Sequence, residues 1–163
     1  MILVTVGTHD QQFNRLVRFM DEWAGEHDEP VVIQSGCSTV EPHHCEWKDY
    51  YPYLTMQRYM EDARIVITHG GPSSFVTALQ FKKIPIVVPR KKEFNEHVND
   101  HQVAFARAFA KRNNNIIVVE DIEELGEIIA SYTDRIYSKK NEMQSNNARF
   151  CAEFKKIVDE LVR

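Results

Sequence analysis

Apolar residues along this chain fall into short unbroken runs, separated by longer stretches in which they recur every three or four positions. Met1 to Val6 is the first run, closed by Gly7-Thr8. A continuous apolar segment of that kind predicts a strand buried on both faces. Phe13, Leu16, Val17, Met20 and Ala24 repeat at helical spacing, and Gly25 and Pro30 close the segment. Val31-Val32-Ile33 predicts a second strand ending at Ser35-Gly36, and the polar, aromatic residues 37–52 predict irregular chain. Met56 to Ala63 predicts a helix, and Ile65-Val66-Ile67 a third strand ending at Thr68-His69-Gly70-Gly71. Pro72 to Phe81 predicts a helix with proline in its first turn. Ile84 to Val88 predicts a fourth strand carrying Pro85, and Val98 to Phe109 a helix. Asn113-Asn114-Asn115 predicts a turn and Ile116 to Val119 a fifth strand. Asp121 is placed to cap a helix that buries Ile122, Leu125 and Ile129. Phe150, Phe154, Ile157, Val158 and Leu161 form a last amphipathic stripe. Strands alternating with helices predict βαβ units. The expected fold class is α/β, an open Rossmann-like parallel sheet of five or six strands with helices on both faces. Residues 1–163 are expected to form one domain.

Composition narrows this reading. A chain of 163 residues, 43% hydrophobic and 27% charged, can bury a core without disulfides or metals, which excludes extended disorder. It is too short for two full α/β domains. A net charge of -4 argues against a nucleic-acid partner. Three cysteines (Cys37, Cys45, Cys151) without CxxC spacing point to a reducing cytosol. No apolar run approaches the roughly 18 residues of a membrane span, and the N-terminus has no basic region or cleavage site. The expectation is a cytoplasmic chain that meets a membrane only peripherally or through a partner.

In open parallel sheets, ligands bind beyond the carboxyl ends of the strands. Three predicted strands end in small or polar residues: Gly7-Thr8-His9, Ser35-Gly36-Cys37 and Thr68-His69-Gly70-Gly71. After the third, Pro72-Ser73-Ser74 opens a helix whose N-terminal amides attract an anion. That is the chemistry of a phosphate cradle, without a Walker lysine or GxGxxG spacing. It is also the chemistry of a tight turn with a capped helix. Residues 89–102 hold Arg90, Lys91 and Lys92, which could face a phosphate or anionic headgroups. The same segment holds Glu96, Asn99, Asp100 and Gln102, group types that bind sugar hydroxyls. The alternative there is a solvated basic turn. His97 and His101 stand four apart on the predicted helix, but HExxH is absent. His43-His44-Cys45 does not complete a ligand set, so no metal site is expected. No GxSxG nucleophile motif occurs.

ThrHisGlyGlyProSerSerPhe (68–75), IleProIleValValProArg (84–90) and GluHisValAsnAspHisGln (96–102), in this order, resemble the C-terminal half of family 28 glycosyltransferases. The opening MetIleLeuValThrValGlyThrHisAsp is similar to the start of stand-alone versions of that half. Such versions include PssE-type polysaccharide transferases and the cytosolic subunit of the split N-acetylglucosaminyltransferase of dolichol-linked glycans. The resemblance covers residues 1 to about 110. It implies half of a GT-B fold binding a UDP-sugar, with no cofactor and no metal. By resemblance His69, Gly70, Gly71, Ser73 and Ser74 hold the diphosphate, and backbone near Tyr53 and Leu54 meets the uracil. Asp100 and Gln102 meet the donor sugar, and Gly7 and Thr8 line the cleft toward the acceptor. Many relatives carry Glu on the ribose where this chain has Thr77, and threonine cannot chelate a diol as a carboxylate does. His9 is the local candidate for the general base that an acceptor hydroxyl needs, or else a residue lining the cleft.

These expectations describe the donor-binding catalytic subunit of a two-component glycosyltransferase. It would move a hexose or N-acetylhexosamine from a UDP-sugar to a lipid-linked saccharide in polysaccharide or glycan synthesis. A membrane-anchored subunit would supply the acceptor side and bring the chain to the inner membrane face. Arg90-Lys91-Lys92 and the C-terminal helix are candidate contacts with it. A second copy of the chain is a further partner left open. The alternatives are a nucleotide-sugar-binding regulatory subunit without turnover, and a UDP-sugar epimerase or hydrolase.

Overall fold

The computed structural model describes residues 1–137, together with Lys139 and Lys155. The predicted stripe from Phe150 to Leu161 lies outside the described residues. β1 (Ile2–Thr5), β2 (Val31–Gln34), β3 (Glu46–Lys48), β4 (Ile65–His69), β5 (Ile86–Val88) and β6 (Ile117–Val118) form one sheet. It has six strands in the order β3-β2-β1-β4-β5-β6. Every pairing is parallel, and β1 sits centrally, with Ile2 opposite both Val31 and Ile65. The chain lays down β1, β2 and β3 in one direction, then returns to place β4 on the free side of β1. That reversal is the topological switch point of a Rossmann-like α/β fold, where the strand ends leave a crevice.

Helices cover both faces, because alternate residues of a buried strand must each find a partner. Ile2 and Val4 of β1 pack with Leu16, Val17 and Met20 of α1 (Asn14–Glu26). Leu125, Ile128 and Ile129 of α5 (Leu125–Ala130) and Tyr132 of α6 (Tyr132–Tyr137) join the same cluster. On the opposite face Leu3, Val32 and Val66 pack with Met60 of α2 (Tyr53–Asp62) and Ala78 of α3 (Pro72–Gln80). Phe75 and Leu79 of α3 continue that layer against Val87 and Ala106 of α4 (His101–Asn113). The buried Tyr132 hydroxyl donates to the Ile84 carbonyl (2.8 Å), fastening α6 beside β5.

Two elements differ from expectation. The stretch 37–52 contains β3, whose Glu46 and Lys48 are exposed while Trp47 packs on the core. A short charged strand at a sheet edge carries no apolar run, and the charge guards the edge against pairing with another chain. The helix expected from Val98 begins at His101. A 3₁₀ turn at Lys92–Phe94, a left-handed Asn95 (φ 55°) and further loop precede it. Acidic and amide side chains there bond backbone in a non-helical arrangement. Glu96 accepts from the Lys91 amide (3.0 Å), Asp100 from Lys92 (2.8 Å) and Asn99 from His101 (3.2 Å). His97 therefore precedes the helix, and the i,i+4 histidine pair does not exist as a helical face. Asp121 does cap as expected, accepting from the Glu123 amide (3.2 Å) ahead of a 3₁₀ turn that leads into α5.

Candidate functional site

A cavity of about 660 Å³ opens at the carboxyl ends of β1, β2 and β4. Its size is ordinary for a small-molecule site. Thr5, Gly7, Thr8 and His9 supply the wall after β1, and Gln34 closes it from β2. His69 forms the floor, Ser73, Ser74 and Thr77 the first turns of α3, and Gln102 the start of α4. Met56 and Met60 of α2, with Phe81, make an apolar side, and Tyr53 and Gln57 of the same helix edge it.

His69 is the most constrained member. Its ring is 7% exposed and lies between two glycines. A Cβ at Gly7 would stand 2.8 Å from Nε2, and one at Gly71 would stand 2.9 Å from Cδ2 and closer still to Nε2. Gly7 also needs its positive φ of 77° to turn the chain out of β1. These glycines make room for an imidazole, which neither the turn nor the ligand argument from sequence anticipates. Burial first, and the Arg90 charge second, lower the His69 pKa to about 4, so the ring is neutral near pH 7. Its Nδ1 has no hydrogen-bond partner.

The turn after β1 is held from below. Thr5 Oγ1 accepts from the Gly7 amide (3.3 Å) and from Gln34 Nε2 (3.2 Å). No side chain caps the first turn of α3. An uncapped helix start, two serine hydroxyls and a neutral imidazole face one cavity, a set of donors whose chemistry suits an anion. Thr77 Oγ1 donates to the Ser73 carbonyl (2.8 Å), which leaves its lone pairs for a ligand. Gln102 is buried and accepts from the Arg90 amide (3.2 Å) through Oε1. Gly70 lies behind it, where a Cβ would stand 2.9 Å from the Gln102 Cβ.

The structure brings together Gly7, Thr8, His9, Tyr53, His69, Ser73, Ser74, Thr77 and Gln102 on the cavity wall. Gly70 and Gly71 frame that wall from behind, and Leu54 is a 72% exposed rim residue beside Tyr53. Four expected residues are placed elsewhere. Arg90 is fully buried and gives its guanidinium to the carbonyls of Val6 (3.0 Å), Gln11 (2.9 Å), Gln12 (2.8 Å) and Glu96 (3.1 Å). It faces no phosphate; it ties the loop after β1 to the loop after β5. Glu96 is also fully buried, paired with Arg15 (2.9 Å). Asn99 and Asp100 hold backbone amides at the surface, away from the cavity lining.

Sequence reading passed over Gln34, Met56, Met60, Phe81 and His97 as cavity residues. Met56 and Met60 carried a signal, since they are spaced i,i+4 on a predicted helix next to an expected ligand edge. Gln34, a lone amide closing an apolar strand, carried a fainter one. Among the described residues no group of three or more His, Cys, Asp or Glu is arranged to hold a metal. The amides of His43 and His44 instead bond Asp21 (2.9 and 2.7 Å), docking their loop on α1. Among the described residues no helix is long and apolar enough to cross a membrane.

A parallel sheet in this order, with a glycine-framed cavity at its switch point, defines the Rossmann-like class of α/β domains. The chain belongs to the glycosyltransferase family 28 C-terminal domain, whose model matches residues 1–161. Among solved structures it is similar to the glycosyltransferase SnogD from Streptomyces nogalater, at 18% identity and a TM-score of 0.50. That alignment covers 85% of this chain and 39% of SnogD, so the chain spans about two fifths of that enzyme. No curated protein matches the sequence.

Proposed function

We propose that the chain is the donor-binding catalytic subunit of a glycosyltransferase that uses a UDP-sugar and completes its cleft with a second protein. The single observation that carries this reading is the convergence of His69, Ser73, Ser74 and the uncapped start of α3 on one cavity. As the sugar–phosphate bond breaks, negative charge grows on the leaving diphosphate while the anomeric carbon gains positive character. Preorganised donors aimed at that growing charge lower the barrier. Neutral His69 donates or accepts without adding a fixed charge. The apolar side formed by Met56, Met60 and Phe81 suits the flat face of a base, and Gln102 and Thr77 suit hydroxyls. His9, with Asp10 Oδ1 3.4 Å from its Nδ1, stands at the mouth as the base that would take the acceptor's proton.

Two features support a missing second wall. The rim residues Tyr53 and Leu54 are 74% and 72% exposed, an unusual display of apolar surface beside a cavity. The family domain matched here is by its own description a C-terminal one. The acceptor is proposed to be a lipid-linked saccharide, presented at the inner membrane face by a membrane-anchored partner. A second reading, a nucleotide-sugar-binding subunit without turnover, draws on Thr77 standing where a carboxylate would grip the ribose. Calorimetric titration with UDP, UDP-glucose and UDP-N-acetylglucosamine tests the proposal. Saturable binding is expected; no heat from any of them, with or without the partner, contradicts it.

A further inference from the structure

The cavity mouth carries more imidazoles than donor binding alone uses. His9, on the loop after β1, stacks on His97, on the loop after β5, with centroids 4.6 Å apart and planes 16° apart. His97 meets His101, in the first turn of α4, edge to face at 4.5 Å and 72°. His69 lies deeper in the same cavity with its Nδ1 unpartnered. Three histidines from three segments thus line one cavity, and His101 packs against the third.

The charges around them are unbalanced. His9 has the Asp10 carboxylate at 3.4 Å and the Gln11 amide at 2.9 Å. His97 receives the Asn99 amide at 3.4 Å, and Asn99 Oδ1 lies 2.5 Å from His101 Nδ1. Behind them stands the Arg90 guanidinium, which opposes a positive charge on both His69 and His97. The nearest buried carboxylate, Glu96, is already engaged by Arg15. Among the described residues, the exposed Asp10 is the carboxylate in contact with this stack. In the empty cavity a second imidazolium in the stack would repel the first across van der Waals distance. An anion inside the cavity removes that objection, because an opposite charge within about 4–6 Å favours the protonated imidazole.

We propose that His97, stacked on His9 and met edge to face by His101, is a proton acceptor linked to donor binding: a diphosphate-bearing ligand enters together with a proton. This rests on the nucleotide-sugar reading above and extends it to the chemistry of recognition. The one bond made is N–H on the His97 imidazole, with the proton taken from solvent and its buffer. By linkage, an affinity that rises with protonation must rise as pH falls through the neutral range.

The test is calorimetry of the full chain with UDP-glucose and UDP-N-acetylglucosamine near neutral pH. Both phosphates of these probes are esterified, so neither titrates there and any proton taken up belongs to the protein. PIPES and imidazole buffers, which differ in ionisation enthalpy, reveal the proton count. The expected result is an enthalpy that differs between buffers and corresponds to about one proton or somewhat less per ligand, with affinity rising several-fold per pH unit on acidification. His97→Phe keeps a ring to stack on His9 but has no site for a proton, so the count should fall by about half or more. His97→Gln serves the same purpose if the phenylalanine variant does not fold by circular dichroism. Binding with equal enthalpies in both buffers overturns this inference alone. A proton count unchanged in both His97 variants also overturns it. Absence of binding of both probes, to the chain alone and with the partner, overturns the nucleotide-sugar reading and this inference together.

Discussion

At the scale of residues, the site depends on what surrounds His69. Gly7 and Gly71 press on the two sides of one imidazole, and no side chain larger than hydrogen fits at Gly71 without moving that ring. Gly71→Val should abolish detectable UDP-sugar binding and lower the urea midpoint; unchanged values for both would show that the ring is free to move. Arg90 holds four backbone carbonyls from two loops and packs over the Phe13 ring at 4.7 Å. Burial lowers its pKa to about 10, which leaves it charged near pH 7. Arg90→Met should cost about 3–5 kcal/mol in urea denaturation, since removing one member of a buried polar network strands the others. His69 and the glycine pair were legible in the sequence because they follow an apolar run at a predicted ligand edge. Arg90 and Glu96 were misplaced, and the reason is physical. Their burial is created by carbonyls and an arginine 78 to 84 residues away in the chain, which local charge patterning cannot report.

At the scale of elements, the strands and helices of the sheet were readable wherever an element buries a face. β1, β2, β4, β5 and β6 each carry an apolar run, and α1, α2 and α3 carry apolar positions at helical spacing. β3 was not readable, because an edge strand of Glu-Trp-Lys is stabilised by pairing with β2 and by one tryptophan alone. The delayed start of α4 follows the same logic: side chain–backbone bonds outcompete helix propensity across 95–100. That displacement brings His97 onto His9, a contact that a helix beginning at Val98 would not have suggested. α6 is tied to the sheet by the Tyr132 hydroxyl, buried against the Ile84 carbonyl. Tyr132→Phe removes that donor and leaves the carbonyl unsatisfied, so a loss of about 1–3 kcal/mol is expected by chemical denaturation. A loss indistinguishable from zero would place the hydroxyl in water rather than in the core.

At the scale of the whole molecule, the cavity lies at the switch point of the sheet, and its other wall is proposed to come from a second protein. The apolar rim of Tyr53 and Leu54 and the histidine-lined mouth both open on that side. Stability and site chemistry are coupled through His69. Its native pKa of about 4 lies below the ordinary 6.5, so the unfolded chain binds a proton that the native one refuses between those values. Stability is therefore full above about pH 6.5 and falls as pH drops toward 4, by up to about 3 kcal/mol from this group. His69→Gln should flatten that acid limb in denaturation measured across the same range; an equally steep limb would assign the loss to other groups. The central claim is that the cavity at the ends of β1 and β4 receives the donor. Amide chemical shifts of the isotopically labelled chain, followed while UDP is added, test it most directly. Shifts are expected to concentrate at Thr8, His69 and Gly71 to Ser74. Shifts confined to the α1 groove around Arg15, Phe19 and Phe94, or no shifts at all, would contradict it.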